Sequence, residues 1–227
     1  MKLGYIMIFS LLCLSASDLF ASTETCRCPK KPTCANANRI SHAQELVGKK
    51  DYRQSVVNQN ANLTSIKKFI QKVVRERLAN HGRKYADRVS NAILKESAKE
   101  GMDPLFVLAV IETESQFNPR IVGQHGEIGL MQIMPDTGEW IAGKNGFTWK
   151  GKQTLRDPAM NIRIGVSYLA FLREKFEGTA YQYVAAYNMG PGNVRKLASL
   201  DIRPKDYSMR VMNNYYGFYQ TLADRSP

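Results

Sequence analysis

The chain has 227 residues, 44% hydrophobic and 23% charged, which is ordinary for a globular protein and requires no second domain. Its formal net charge of +12 favours acidic partners such as nucleic acid, an anionic membrane or an acidic cell-wall polymer. Lys2, the apolar run from Leu3 to Leu14 and the small residues through Ala21 form a signal-like segment, 1–21, too short to span a bilayer unaided, so export to the periplasm or cell envelope is expected and nucleic acid is disfavoured.

Residues 22–63 are polar, lack a sustained apolar period and read as a tether. Cys13 lies within the apolar run without the small residue that precedes a lipidated cysteine, which leaves Cys26, Cys28 and Cys34. In an oxidising compartment an odd count implies one disulfide, with Cys34 in it because a Cys26–Cys28 ring is strained, and one thiol available to a disulfide-linked partner. These cysteines with His42 match no strong metal signature, so neither a metal nor a cofactor is expected.

From residue 64 to 227 the pattern is that of one mainly α domain. Ile66, Phe69, Ile70, Val73, Val74 and Leu78 recur at helical spacing opposite a lysine- and arginine-rich face, either solvated or lying on an acidic surface. A second helix runs from about Lys84 to the glycine stop at Gly101. Asp103-Pro104 then starts a helix whose residues Leu105 to Ile111 leave no polar face, which marks it as buried on all sides. At its far end Glu112 and Glu114 lie about 200° apart and cannot act as a dyad. Apolar neighbours and the negative end of the helix dipole would raise the pKa of either, making it a general acid, whereas an exposed helix end would leave it ordinary.

Further on, glycines at 123, 126 and 129 suggest a close backbone approach, and Asp136 with Glu139 suggests a capping box. Asp157-Pro158 repeats the helix start and leads to a helix ending near Gly178, Ala180 to Asn188 reads as another helix stopped by Gly190-Pro191-Gly192, and a last one begins near Tyr207. About seven helices and no convincing strand are expected.

Three blocks in order, Glu114-Ser115-Gln116-Phe117-Asn118-Pro119, then Gly126 to Pro135 (GEIGLMQIMP), then Ala185 to Gly192 (AAYNMGPG), resemble the lytic transglycosylases with a soluble-lytic-transglycosylase catalytic domain. The resemblance covers roughly Val89 to Tyr216 and implies a lysozyme-like fold with a substrate groove over the core helix. It implies that Glu114 is the single catalytic acid and base, acting on the bond between N-acetylmuramic acid and N-acetylglucosamine in peptidoglycan and leaving 1,6-anhydro ends. By the same resemblance Ser115, Gln132, Met134, Tyr187, Asn188 and Tyr207 are the substrate-binding candidates. Local wall opening for an envelope-spanning secretion or transfer machine is one role for such an enzyme. A water-using hydrolase of the same fold and a non-catalytic wall-binding scaffold are the alternatives. Relatives often carry Ser where this chain has Gly123 and Ala where it has Glu127, so Glu127 adds a carboxylate that can tune Glu114 or compete with it.

Overall fold

The computed structural model describes residues 32–59 and 62–224, and among these the chain is helical, with isolated bridges from Ile128 to Val122 and Ile133 in place of a sheet. The elements before the core helix are α1 (Pro32–Val47), α2 (Lys49–Tyr52), α3 (Val56–Gln59), α4 (Leu63–Arg77), a 3-10 turn (Ala79–His81) and α5 (Arg83–Lys99). After it, α6 (Pro104–Ser115), come α7 (Pro135–Asn145), α8 (Gln153–Arg156), α9 (Pro158–Lys175), α10 (Ala180–Met189), α11 (Pro191–Ala198) and α12 (Asp206–Asp224).

The apolar helix does lie at the centre. Asp103 accepts the Leu105 N–H as its cap, Pro104 occupies the first turn, and every residue from Pro104 to Ile111 is buried. A helix apolar on every side needs partners on every side, and α12, α5 and α4 supply them. Each aliphatic side chain so enclosed contributes roughly 1.5–3 kcal/mol. A second group forms around α9, which packs against α5, α10, α7 and α8.

The stretch expected as a tether is helical from Pro32, and α1 packs against α10 and α5. Its apolar period is missing because the inward face is largely polar: Arg39 and His42 are buried there beside Ala43. Arg39 Nη1 donates to Tyr219 Oη at 2.8 Å and pairs with Asp103 Oδ2 at 3.4 Å, and the same oxygen accepts from Tyr215 at 2.9 Å and Tyr219 at 2.7 Å. His42 Nδ1 accepts the Asp103 N–H at 3.0 Å, so the other ring nitrogen carries the hydrogen toward Tyr183 Oη, 3.1 Å away. Burial, with Arg173 nearby, holds the His42 pKa well below its ordinary value and the ring neutral. The signal-like segment and Cys13, Cys26 and Cys28 lie outside the described residues.

Two other details differ from the sequence pattern. Pro135 opens α7 with Met134 at the cap position and no side-chain cap bond, so Asp136 lies inside the first turn instead of capping it. At Gly190-Pro191-Gly192 the chain turns and starts again, since a proline that cannot continue α10 is well suited to begin α11.

Removing the Asp103 carboxylate would take the paired negative charge away from a buried guanidinium and two buried phenols. Asp103→Ala is therefore expected to lower unfolding free energy by about 3–5 kcal/mol in chemical denaturation, well beyond the loss of an exposed helix cap.

Candidate active site

Glu114 lies in the last turn of α6, where the buried run gives way to the surface, and it is half-buried. The chain leaves the helix abruptly: Gln116 (φ 48°) and Phe117 (φ 63°) both adopt left-handed backbone conformations, which cost non-glycine residues about 1–3 kcal/mol each. Packing holds them, with the Phe117 ring buried and the Ser115 hydroxyl donating to the Leu130 carbonyl at 2.8 Å. Tyr207, at the start of α12, donates a 2.5 Å hydrogen bond to Glu114 Oε1.

Burial raises the Glu114 pKa to about 7, against a downward pull from the Tyr207 hydrogen bond and then from Arg210, while Glu127 adds a smaller upward push. Glu112, two residues back, faces elsewhere and forms a 2.9 Å ion pair with Arg77. The two carboxylates thus take different environments, as their angular separation on the helix requires. Burial and the nearby Glu114 charge raise the pKa of both Tyr187 and Tyr207 well above normal, which keeps both as neutral donors.

Residues 116–134 form an irregular loop held from beneath by Asn161 on α9. Its Oδ1 accepts the Met131 N–H at 2.8 Å, and its Nδ2 donates to the carbonyls of Ile128 at 2.8 Å and Leu155 at 3.0 Å. Gly129 (φ +81°) passes so close that a Cβ there would lie 2.6 Å from Asn161 Nδ2. Tyr187 Oη also ties the loop, donating to the Met131 carbonyl at 2.8 Å. Nearer the surface, Glu127 accepts from the His125 N–H at 3.0 Å, with His125 Nδ1 at 3.2 Å. Hydrogen bonding from backbone N–H groups, first its own, keeps Glu127 below the usual carboxylate range. Its carboxylate occupies the space that a side chain at Gly123 would need, and a Cβ at Gly123 would also lie 2.8 Å from Gln132 Oε1.

The structure thus gathers Glu114, Tyr187 and Tyr207, with Glu127 near enough to be felt. Gln132 (φ 45°) uses its amide on the Gly129 carbonyl at 3.0 Å, while Met134 and Asn188 are exposed. Ser115, a substrate-binding candidate, is buried with its hydroxyl donated to the carbonyls of Ile111 and Leu130, so its observed contacts are internal.

The family profile described as the transglycosylase SLT domain matches residues 91–209. The chain belongs to this family. It is 33% identical to the membrane-bound lytic murein transglycosylases C of Edwardsiella ictaluri and Histophilus somni, over 70% of this chain and 46% of theirs, so it spans about half the length of these curated relatives. Among solved structures, the 70 kDa soluble lytic transglycosylase of Escherichia coli superposes with a TM-score of 0.53 and 28% identity, over 59% of this chain and 24% of that one. These neighbours establish a lysozyme-like fold.

Within this transglycosylase domain, sequence reasoning gave no role to Asn161 or Arg210. Asn161 had one signal, an asparagine in the turn that follows an Asp-Pro helix start; Arg210 had none, because its relation to Glu114 exists only once α12 crosses α6.

The hydrogen-bond and charge pattern around Glu114 fixes two opposite shifts in a kcat/KM pH profile. Tyr207→Phe removes a donor that favours the ionised carboxylate, so the alkaline limb should move up by about one unit. Glu127→Ala removes a like charge, so the limb should move down by a smaller amount. A limb that stays near 7 in both variants would show that it does not report Glu114.

Proposed function

We propose that this protein is an exported peptidoglycan lytic transglycosylase that cleaves between N-acetylmuramic acid and N-acetylglucosamine and leaves 1,6-anhydro-muramyl ends. The supporting observation is Glu114, a half-buried carboxyl with a pKa raised to about 7 in the position that the family's motif gives to its acid. Protonated, Glu114 donates to the glycosidic oxygen as the C1–O bond breaks. Ionised, it then takes the proton of the muramyl 6-hydroxyl, whose oxygen bonds to C1 and closes the anhydro ring. A pKa near the working pH serves both steps. No second protein carboxylate is required, because the attacking oxygen belongs to the substrate.

Tyr207 holds the Glu114 carboxyl in place, Tyr187 supports the loop, and Gln132, Met134 and Asn188 provide amide and thioether groups for the sugars. Ser115 acts in this reading through the loop it ties. Residues 1–21 would direct export, and the positive charge of the chain would favour a wall rich in carboxylates. Local wall opening for an envelope-spanning machine belongs to the same proposal. A hydrolase is the second reading, because Glu127 stays ionised beside Glu114 and could assist a water.

The test is mass spectrometry of digested peptidoglycan. Anhydro-muramyl ends are expected from the wild type; reducing ends would identify a hydrolase, and no cleavage would identify a scaffold. Glu114→Gln should abolish turnover with the fold intact, and Glu112→Gln should cost far less. Equal losses in the two variants would overturn the assignment of Glu114.

A further inference from the structure

Trp140 on α7 is 45% exposed. A single exposed aromatic residue is unremarkable, but this one ends a continuous series of rings. Its ring stands edge-on to Phe171 at 4.7 Å and to Tyr168 at 6.5 Å, and Tyr168 lies 5.5 Å from Tyr187, the neighbour of Glu114. Aromatic contacts therefore run from the candidate active site to the surface of α7. Packing fixes the indole on one side and leaves another open, and an aromatic ring with only two side-chain torsions is ordered at low entropic cost.

Beyond Trp140 the surface becomes polar. Lys144 Nζ and Lys175 Nζ lie 5.6 and 5.4 Å from the centre of the Phe171 ring. Phe171 and Lys144 line an open cleft of about 590 Å3, within the usual range for ligand sites. Acidic groups complete its walls, among them Glu174, Glu177 and a Glu45 carboxylate held by Arg173 at 2.7 Å. Ser167, also lining the cleft, has its hydroxyl oxygen buried without a hydrogen-bond partner among the described residues, a state that buried polar atoms seldom keep unless something else supplies the bond.

We infer that Trp140 and this cleft form a second binding site for the same polymer: a saccharide ring stacks on Trp140, and the attached peptide lies in the cleft. Such a peptide carries both carboxylate and amino groups; Lys144 in the cleft and Lys175 beside the Phe171 ring suit the first, and the cleft's glutamates suit the second. Ring contacts through Tyr168 and the buried Tyr187 join this site to the neighbourhood of Glu114. The inference rests on the peptidoglycan reading above, and it makes strand length and peptide content determinants of binding.

The test uses the full chain carrying Glu114→Gln, so that strands bind without being cut, with tryptophan emission as the readout. The sequence holds two tryptophans, and Trp149 is packed against Gly138. Adding peptide-bearing glycan oligomers should change the emission. Trp140→Phe should abolish that change while keeping affinity, and Trp140→Ala should weaken affinity about tenfold at an unchanged melting temperature. The pair Lys144→Gln and Lys175→Gln should weaken binding of peptide-bearing strands and leave amidase-stripped strands unaffected. Unchanged affinity in Trp140→Ala, or equal affinity for both kinds of strand, would overturn the inference. A wild type that fails to cleave peptidoglycan would refute the transglycosylase reading, whereas a wild type that cleaves while Trp140→Ala binds normally would refute this inference alone.

Discussion

Asp103 has no contact with water, and a carboxylate can occupy such a place because donors converge on it: the Leu105 N–H, the hydroxyls of Tyr215 and Tyr219, and the Arg39 guanidinium. Burial pushes its pKa up, and these partners pull it only part of the way back, so it stays above the ordinary carboxylate value. They come from three helices, so satisfying one carboxylate fixes α1, α6 and α12 against each other. Because α12 also carries Tyr207 in its first turn, the hub at the start of α6 helps determine where a phenol stands at the other end, beside Glu114.

The two ends of α6 use burial in opposite ways. At Asp103 the desolvated carboxylate has a guanidinium and two phenols directly on it; at Glu114 one phenol makes the contact, and Arg210 acts through its field. The first arrangement is structural. The second leaves a carboxyl whose protonation changes near neutrality, and it can do so because Glu112 is turned away to Arg77 and adds no competing demand on the same face.

Much of this was legible in the sequence. The Asp-Pro starts of α6 and α9, the unbroken apolar run of α6 and the motif containing Glu114 all carry strong local signals, and each corresponds to an element or position described above. Helix α1 was hidden because its inward face buries Arg39 and His42, whose partners outside α1 lie 61 to 180 residues away in the chain. Hydrophobic periodicity is blind to a face stabilised by hydrogen bonds. Helix α11 was hidden for a local reason, since Gly190-Pro191 both ends one helix and starts the next. The relation of Trp140 to Tyr187 depends on how α7, α9 and α10 pack, which no window of sequence contains.

Gly123 and Glu127 form a steric pair, so neither position is independent of the other. A side chain at 123 would meet the Glu127 carboxylate where it is held by the His125 N–H. Gln132 Oε1 closes on the same space, so a residue larger than glycine at 123 requires the Glu127 carboxylate and the Gln132 amide to shift together. Substitutions at 123, 127 and 132 therefore act on one shared volume, and their effects are not additive.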